Sequence, residues 1–362
     1  MTGASYAAAG VDVEAGERAV ALMRAAVAAA QRPETAGSFG GFAGLYDASA
    51  LTRFTKPLLA TSTDGVGTKV AVAQAMDIHH TVGIDLVAMI VDDLVVCGAE
   101  PLFLTDYIAC GSVVPERIAA IVSGIANGCQ QAGCALLGGE TAEHPGLLGP
   151  GEYDIAGAGT GVVEASRLLG PALVQTDDVI VAMASSGLHS NGYSLARYVL
   201  LGQGGPGLHA YIDEFDRTVG EELLEPTRIY AKDCLALADA VPVRAFSHIT
   251  GGGIAANIAR VLPEHLAADI DRSTWTVPAV FTVIGQLGDV SQLELEKTFN
   301  MGMGMVAVLP ASHADAAIGL LAERGIRSWV AGQVRDRQAG ETGDAAAKGG
   351  AGGAVSVVGA HR

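Results

Sequence analysis

Hydrophobic positions along this chain fall into alternating helical and extended periods. Residues 14–32, EAGERAVALMRAAVAAAQR, set Ala19, Leu22, Met23, Ala26 and Val27 on one stripe and stop before Pro33, which predicts an amphipathic helix. Strand-like apolar runs follow at 57–63 (PLLATST), 102–109 (LFLTDYIA), 134–139 (CALLGG) and 153–164 (YDIAGAGTGVVE), with a helix predicted over 115–132. After the first of these runs lies VGIDLVAMIVDDLVVCGA, Val82 to Ala99, apolar on every side except for three aspartates. At helical period Asp85 and Asp92 share a face, and Asp93 sits about a hundred degrees round. A helix that is hydrophobic all round belongs in a core. An ionised carboxylate does not enter a core unpaired, because its desolvation costs more than the fold can spare. These aspartates therefore need basic side chains or a metal with its ligand.

Between Ser166 and Asp178 the pattern resets. The second half reads as a strand VIVAMASS (179–186), a helix after Asn191, a strand FSHIT (246–250), a helix from Ile254 and a strand FNMGMGMVAVLP (299–310). Alternating strands and helices predict an α/β (α+β) chain of two domains, with helices layered on a sheet. The expected division is 1–168, 169–338, and a terminal piece 339–362. That piece is expected as a low-complexity insertion followed by a terminal strand or tail; its run AGETGDAAAKGGAGG (339–353) reads as a mobile hairpin insertion or a frayed tail.

Composition narrows the function classes. The 362 residues are enough for two cores, half are hydrophobic, and the net charge is −17. That sign disfavours nucleic-acid and anionic-membrane partners, which want basic patches. It leaves phosphorylated small molecules open, since a site can be locally positive on an acidic protein. The five cysteines lack CxxC spacing and read as small buried hydrophobes in a reducing compartment. No basic-then-apolar leader and no uninterrupted membrane-length run appears, so a cytoplasmic location is expected.

Four glycine-rich segments sit where strands give way to loops, the usual place for ligands in α/β folds. In TDGVGTK, Gly65 and Gly67 let the backbone of Asp64, Gly65, Val66, Gly67 and Thr68 approach an anion, Lys69 balances phosphate charge, and Asp64 holds a cation; a plain turn fits equally well. In GGETAEHPG (138–146), Glu140 ends a strand where a metal would meet Asp64 and Asp93, a hard-oxygen set suited to Mg²⁺; a turn-capping carboxylate is the alternative. In SSGLHSNGYS (185–194), a helix capped by Ser190 or Asn191 makes an anion site with Ser186 and Gly187, and His189 is placed to donate to phosphate or move a proton. In HITGGGIAANI (248–258), Thr250, Gly251, Gly252 and Gly253 offer several donors to one anion, and three glycines are a poor choice for rigidity alone. TFNMGMGM (298–305) reads as close backbone packing beside the site, with core methionines. Together these supply three carboxylates, a lysine and three anion cradles, with no catalytic triad, which fits an enzyme of Mg-nucleotide and a second phosphorylated ligand.

At this point the chain resembles a known family. SYAAAGVD (5–12), GGFAG (40–44), TSTDGVGTK (61–69), GIDLVAMIVDDL (83–94), GAEPLFLTDY (98–107), GGETAEHPG, SGLHSNGYSLAR (186–197), HITGGG (248–253) and TFNMGMGM occur in the order found in phosphoribosylformylglycinamidine cyclo-ligases, over roughly residues 5 to 337. The resemblance implies ATP-dependent closure of formylglycinamidine ribonucleotide to aminoimidazole ribonucleotide, with release of ADP and phosphate. It also implies a homodimer in which N-terminal mixed sheets, each with helices on one face, pair into a barrel, beside a C-terminal α/β domain. On this reading Lys69, His189 and Asn191 are catalytic, and Asp64, Asp93 and Glu140 carry Mg²⁺, with K⁺ a further candidate. Three features depart from the family: Ala7 and Ala8 replace a Lys-Asp pair, Asp92-Asp93 replaces Asn-Asp, and the Gly/Ala run at 339–353 is extra. Rival readings are another small-molecule ATP phosphotransferase or ligase of the same superfamily, and a non-catalytic nucleotide sensor. A nicotinamide dehydrogenase is disfavoured, because no GxGxxG opens a helix after the first strand.

Overall fold

The computed structural model describes residues 12–37 and 40–361; SYAAAGVD as far as Val11, and Ser38 and Phe39, lie outside the described residues. The chain divides into two compact units, Met1–Leu94 with Glu100–Ser166, and Val95–Ala99 with Arg167–Arg362.

In the first unit, strands β1 (Pro57–Gly65), β2 (Glu100–Cys110), β3 (Ala135–Glu143) and β4 (Tyr153–Glu164) form one mixed sheet in the order β1-β4-β2-β3. Strand β4 is antiparallel to both neighbours, and β3 is parallel to β2. Helix α1 (Val13–Ala29) starts at Asp12, whose carboxylate accepts the Ala15 N–H. Helix α3 (Pro115–Ala132) has Pro at its first turn and stops at Gly133 in the left-handed conformation.

Helix α2 (His80–Val95) is the acid-bearing segment, and its surroundings explain why it is apolar all round. Its sheet side rests on Gly159, where an added Cβ would stand 2.6 Å from Ile90 Cγ2. Its other side crosses α3 at Gly124, where a Cβ would come within 1.9 Å of the His80 carbonyl oxygen. Helix α2 is therefore sunk between sheet and helix layer, with Leu86, Val87, Ala88 and Ile90 fully buried. On the far face of the sheet Leu59 is 66% and Tyr107 42% exposed among the described residues.

In the second unit, β5 (Asp178–Ala184), β6 (Ala245–His248), β7 (Leu266–Asp271), β8 (Met303–Pro310), β9 (Ser328–Asp336) and β10 (Ala354–Val358) form a sheet in the order β6-β8-β5-β9-β7-β10. All pairs are antiparallel except β7 with β10. Central β5 and β8 are near-continuous apolar runs and are buried almost end to end, as strands covered on both faces must be. Residues 339–353 lead into β10 on the sheet edge, and Val357 donates to the Asp344 carboxylate. No helix among the described residues is long and apolar enough to cross a membrane. All five cysteines are free, and four of them are buried.

Candidate active site

In the first unit, TDGVGTK leaves the end of β1 and turns through a 3-10 segment (Gly67–Lys69), with Gly67 at a φ of +70° that favours glycine. Val66 plugs the core at 1% exposure. Lys69, expected to face phosphate, does not. Its ammonium is fully buried, and its Nζ lies 2.8 Å from Asp85 Oδ1, also fully buried. This corrects the expected role: the lysine neutralises the core aspartate of α2, and the pair moors the glycine loop to that helix. It answers for Asp85 the question of a basic or metallic partner raised by the sequence.

The expected metal trio is not brought together either. Sheet register places Asp64, Gly157, Asp106 and Gly139 in one row, and Gly65, Ala156, Tyr107 and Glu140 in the next. Adjacent rows point to opposite faces, so Asp64 and Glu140 leave the sheet on opposite sides, three strands or about 14 Å apart. Asp93 is an exposed residue of α2 on the helix-covered side. Among the described residues no group of three or more His, Cys, Asp or Glu side chains is placed to hold a metal ion. A Mg²⁺ ion shared by Asp64, Asp93 and Glu140 of one chain does not fit this sheet.

The same row contains an acid that the sequence reading passed over. The Asp106 carboxylate leans across Gly139, where a Cβ would stand 2.6 Å from its Oδ2. Burial pushes its pKa up to about 7. A carboxyl raised in this way keeps its proton in the fold when the unfolded chain has lost it. Folding then takes up a proton from the ordinary aspartate range to about pH 7, and stability falls as pH rises through that window. Asp106→Asn is therefore expected to melt with the wild type near pH 4 and clearly above it at pH 8. Equal melting temperatures at pH 8 would show that the acid ionises without cost.

In the second unit SSGLHSNG and HITGGG, two of the four glycine-rich segments, meet TFNMGMGM at one end of the sheet. Strands β5 and β6 end there and the antiparallel β8 begins there, with Ala184 opposite Met303 and His248 opposite Met305. Asparagines tie the loops together. Asn191 Oδ1 accepts the Gly251 N–H at 2.9 Å, joining SGLHSNG to TGGG. Asn300 donates to the Gly187 carbonyl at 2.9 Å and accepts from Gly302 N, joining SSG to FNMG. Asn257 Nδ2 donates to the carbonyls of Thr250 (3.1 Å) and Gly253 (2.8 Å).

Several expectations at this end change in detail. Helix α4 (Tyr193–Leu201) is capped by Gly192 with no side-chain bond, so neither Ser190 nor Asn191 caps it. The Ser190 hydroxyl lies 3.3 Å from that of Thr227. His189 is no free loop histidine: it is 1% exposed, sits at a φ of +64°, and its Nε2 accepts the Ser186 N–H at 3.1 Å. The Ser186 hydroxyl donates to Pro226 O and accepts from Arg228 N. The Thr250 hydroxyl is directed at Asn257 Oδ1 and is 8% exposed as a residue, so it does not stand out as a ligand donor. Gly253 is required by packing, since a Cβ there would lie 1.7 Å from the Glu296 carbonyl oxygen. A cavity of about 230 Å³ opens beside Ser185, Ser186 and Gly187, walled by Arg217, Glu222 and Pro278. Sequence reasoning also missed Asn257 and Asn300, buried polar groups in apolar runs where each must have a structural partner, and buried Tyr230, whose hydroxyl donates to the Ala184 carbonyl.

Known proteins share both units. Residues 46–163 match the model of the AIR synthase related protein N-terminal domain, and residues 175–344 that of the C-terminal domain. The phosphoribosylformylglycinamidine cyclo-ligase of Anaeromyxobacter sp. (strain Fw109-5) is 50% identical over 334 residues, which are 91% of this chain and 95% of that protein. The protein of that name from Brevibacillus brevis is 48% identical over 337 residues, 93% of this chain and 96% of its own. Among solved structures, thiamine-monophosphate kinase from Stenotrophomonas maltophilia K279a matches with a TM-score of 0.66 at 18% identity, covering 93% of this chain and 95% of that one. The hydrogenase maturation protein HypE, solved in complex with ATP, matches with a TM-score of 0.62 at 16% identity, covering 86% and 84%. Those two likenesses concern the fold. With half its residues shared over nine-tenths of its length, the chain belongs to the phosphoribosylformylglycinamidine cyclo-ligase family.

Proposed function

We propose that the chain closes formylglycinamidine ribonucleotide to 5-aminoimidazole ribonucleotide with ATP, releasing ADP and phosphate, as a cytoplasmic homodimer. An amide oxygen is a poor leaving group. Transfer of the γ-phosphoryl to the formamide oxygen converts it to departing phosphate, and attack of the amidine nitrogen on the formyl carbon then closes the ring. Catalysis of this kind is mainly positioning and charge stabilisation. TDGVGTK supplies the nucleotide's contacts through Asp64 and the 65–68 backbone, with Lys69 as its anchor. Ser186, Gly187 and Ser190 border the ribonucleotide, and the backbone of Gly251 to Gly253 holds its phosphate. Asn191 orients the two loops against each other, and His189 sets the turn between Ser186 and Ser190.

The observation that carries this reading is the Asn191–Gly251 hydrogen bond, which fixes two separately encoded family segments as one loop pair. The sheet face of the first unit on which Leu59 and Tyr107 are exposed among the described residues supports pairing with a second copy. Measuring ADP release with and without the amidine substrate tests the function. Release that depends on the substrate is expected, from a species that sediments as two chains. Asp64→Asn should abolish that release. ADP release indifferent to the amidine would defeat the assignment, and full turnover in Asp64→Asn would remove Asp64 from the site.

A further inference from the structure

The C-terminal segment that the family pattern does not cover is built, in two places, onto elements that adjoin the glycine loop. Helix α5 (Gly253–Ala259), which follows TGGG directly, has seven residues. A helix that short leaves most of its carbonyls without an intrahelical donor. The C-terminal segment supplies donors: Lys348 N to Ala256 O at 3.2 Å, and Gly353 N to Ala259 O at 3.1 Å and Leu262 O at 3.0 Å. Gly352 lies so close that a Cβ would stand 2.2 Å from the Ala259 carbonyl oxygen. Strand β10 then pairs with β7.

The second attachment is at the extreme end. Arg272 donates to the Gly359 carbonyl at 3.1 Å and grips the Glu296 carboxylate at 2.7 and 2.8 Å. The His361 ring packs edge-on against Trp275 with centroids 4.9 Å apart, and its Nε2 lies 3.7 Å from Glu296 Oε1. The Glu296 backbone carbonyl is the group against which Gly253 is wedged, and Trp275 Nε1 donates to Met301 O in the FNMG loop.

We propose that residues 344–361 are a strap that positions the Thr250–Gly253 loop, by capping α5 from behind and backing Glu296 from the side. The mechanical link is Asn257. It rides on α5 and holds the carbonyls of Thr250 and Gly253, so any shift of the helix moves the loop. The strap is a positioning element that acts through the loop. Its kinetic consequence rests on the reading that this loop takes the substrate phosphate.

Lys348→Pro removes the one N–H that caps Ala256, at an exposed position, while Lys348→Ala keeps it. A chain ending at residue 343 removes the whole strap. Hydrogen exchange across 250–259 reports the positioning without any ligand. Exchange at least fivefold faster in Lys348→Pro than in Lys348→Ala, and faster still in the truncated chain, is expected. With it should come a several-fold rise in KM for the ribonucleotide, while KM for ATP and kcat stay within twofold. Unchanged exchange in Lys348→Pro overturns the strap, even if the truncated chain fails to fold. Faster exchange with an unmoved ribonucleotide KM upholds the strap and removes the phosphate role from the loop.

Discussion

Lys69→Met is expected to lose about 3–5 kcal/mol of stability, because it leaves the Asp85 carboxylate charged and buried without its ammonium. The companion Lys69→Met/Asp85→Leu variant is expected to regain most of that loss. Replacing both members of a buried pair by apolar groups of similar size is close to neutral, since the desolvation penalties vanish with the attraction. The double variant also decides between anchor and catalyst. If the lysine only moors TDGVGTK to α2, the folded double variant turns over at a rate close to wild type. A folded double variant with kcat down a thousandfold would return Lys69 to the reacting phosphoryl group. Urea midpoints of the three proteins, read beside kcat, settle both points.

The fold was largely legible because burial and period agree in this chain. YDIAGAGTGVVE is read as a strand over 153–164, and the structure has β4 over those residues. The helix over 115–132 has both its boundaries marked, by Pro115 and Gly133. Partners were harder to read than elements. Asp64 and Glu140 each read as a strand end, where ligands gather; Asp64 is next to last in β1, but β3 runs on past Glu140 to Glu143. Which face each carboxylate leaves depends on a register across four strands, which one strand's pattern does not encode. Lys69 looks like a phosphate ligand because it follows a glycine loop. It is claimed by Asp85, sixteen residues on, because α2 must neutralise its own acid. The run at 339–353 reads by composition as a mobile hairpin insertion or a frayed tail, and nothing in that composition tells that its Lys348 and Gly353 N–H groups meet the carbonyls of Ala256 and Ala259. Composition reports side chains and is silent about such bonds.

The same limit applies to the glycines of TFNMGMGM, whose roles differ although the sequence makes them look alike. Met301 and Gly302 carry positive φ, so there the chain needs conformational freedom. Gly304 does not, and its reason is space. An added Cβ would stand 2.0 Å from the Tyr230 hydroxyl oxygen and 2.6 Å from His189 Cε1. Both side chains are enclosed, at 0% and 1% exposure, so neither can swing into solvent to make room. Both are also committed: Tyr230 donates to the Ala184 carbonyl at the end of β5, and His189 accepts from Ser186 in the turn that follows. One methyl group at 304 must therefore displace the strand end or the turn, which lie at the meeting point of the three loops.

Gly304→Ala is accordingly expected to cost about 1–3 kcal/mol of stability, as overpacking in a filled core does. Its kcat should fall a hundredfold or more, far beyond what that loss alone explains in a protein that still folds. Gly138→Ala, with open space around the new Cβ, serves as the steric control and should leave the melting temperature near wild type. Adding Tyr230→Phe to Gly304→Ala removes the atom in closest conflict and should recover part of the stability. It should recover less of the rate, because the His189 clash persists. Full activity in Gly304→Ala would mean that the Ser186–Ser190 turn tolerates displacement, and with it the claim that His189 acts by fixing this turn would fail.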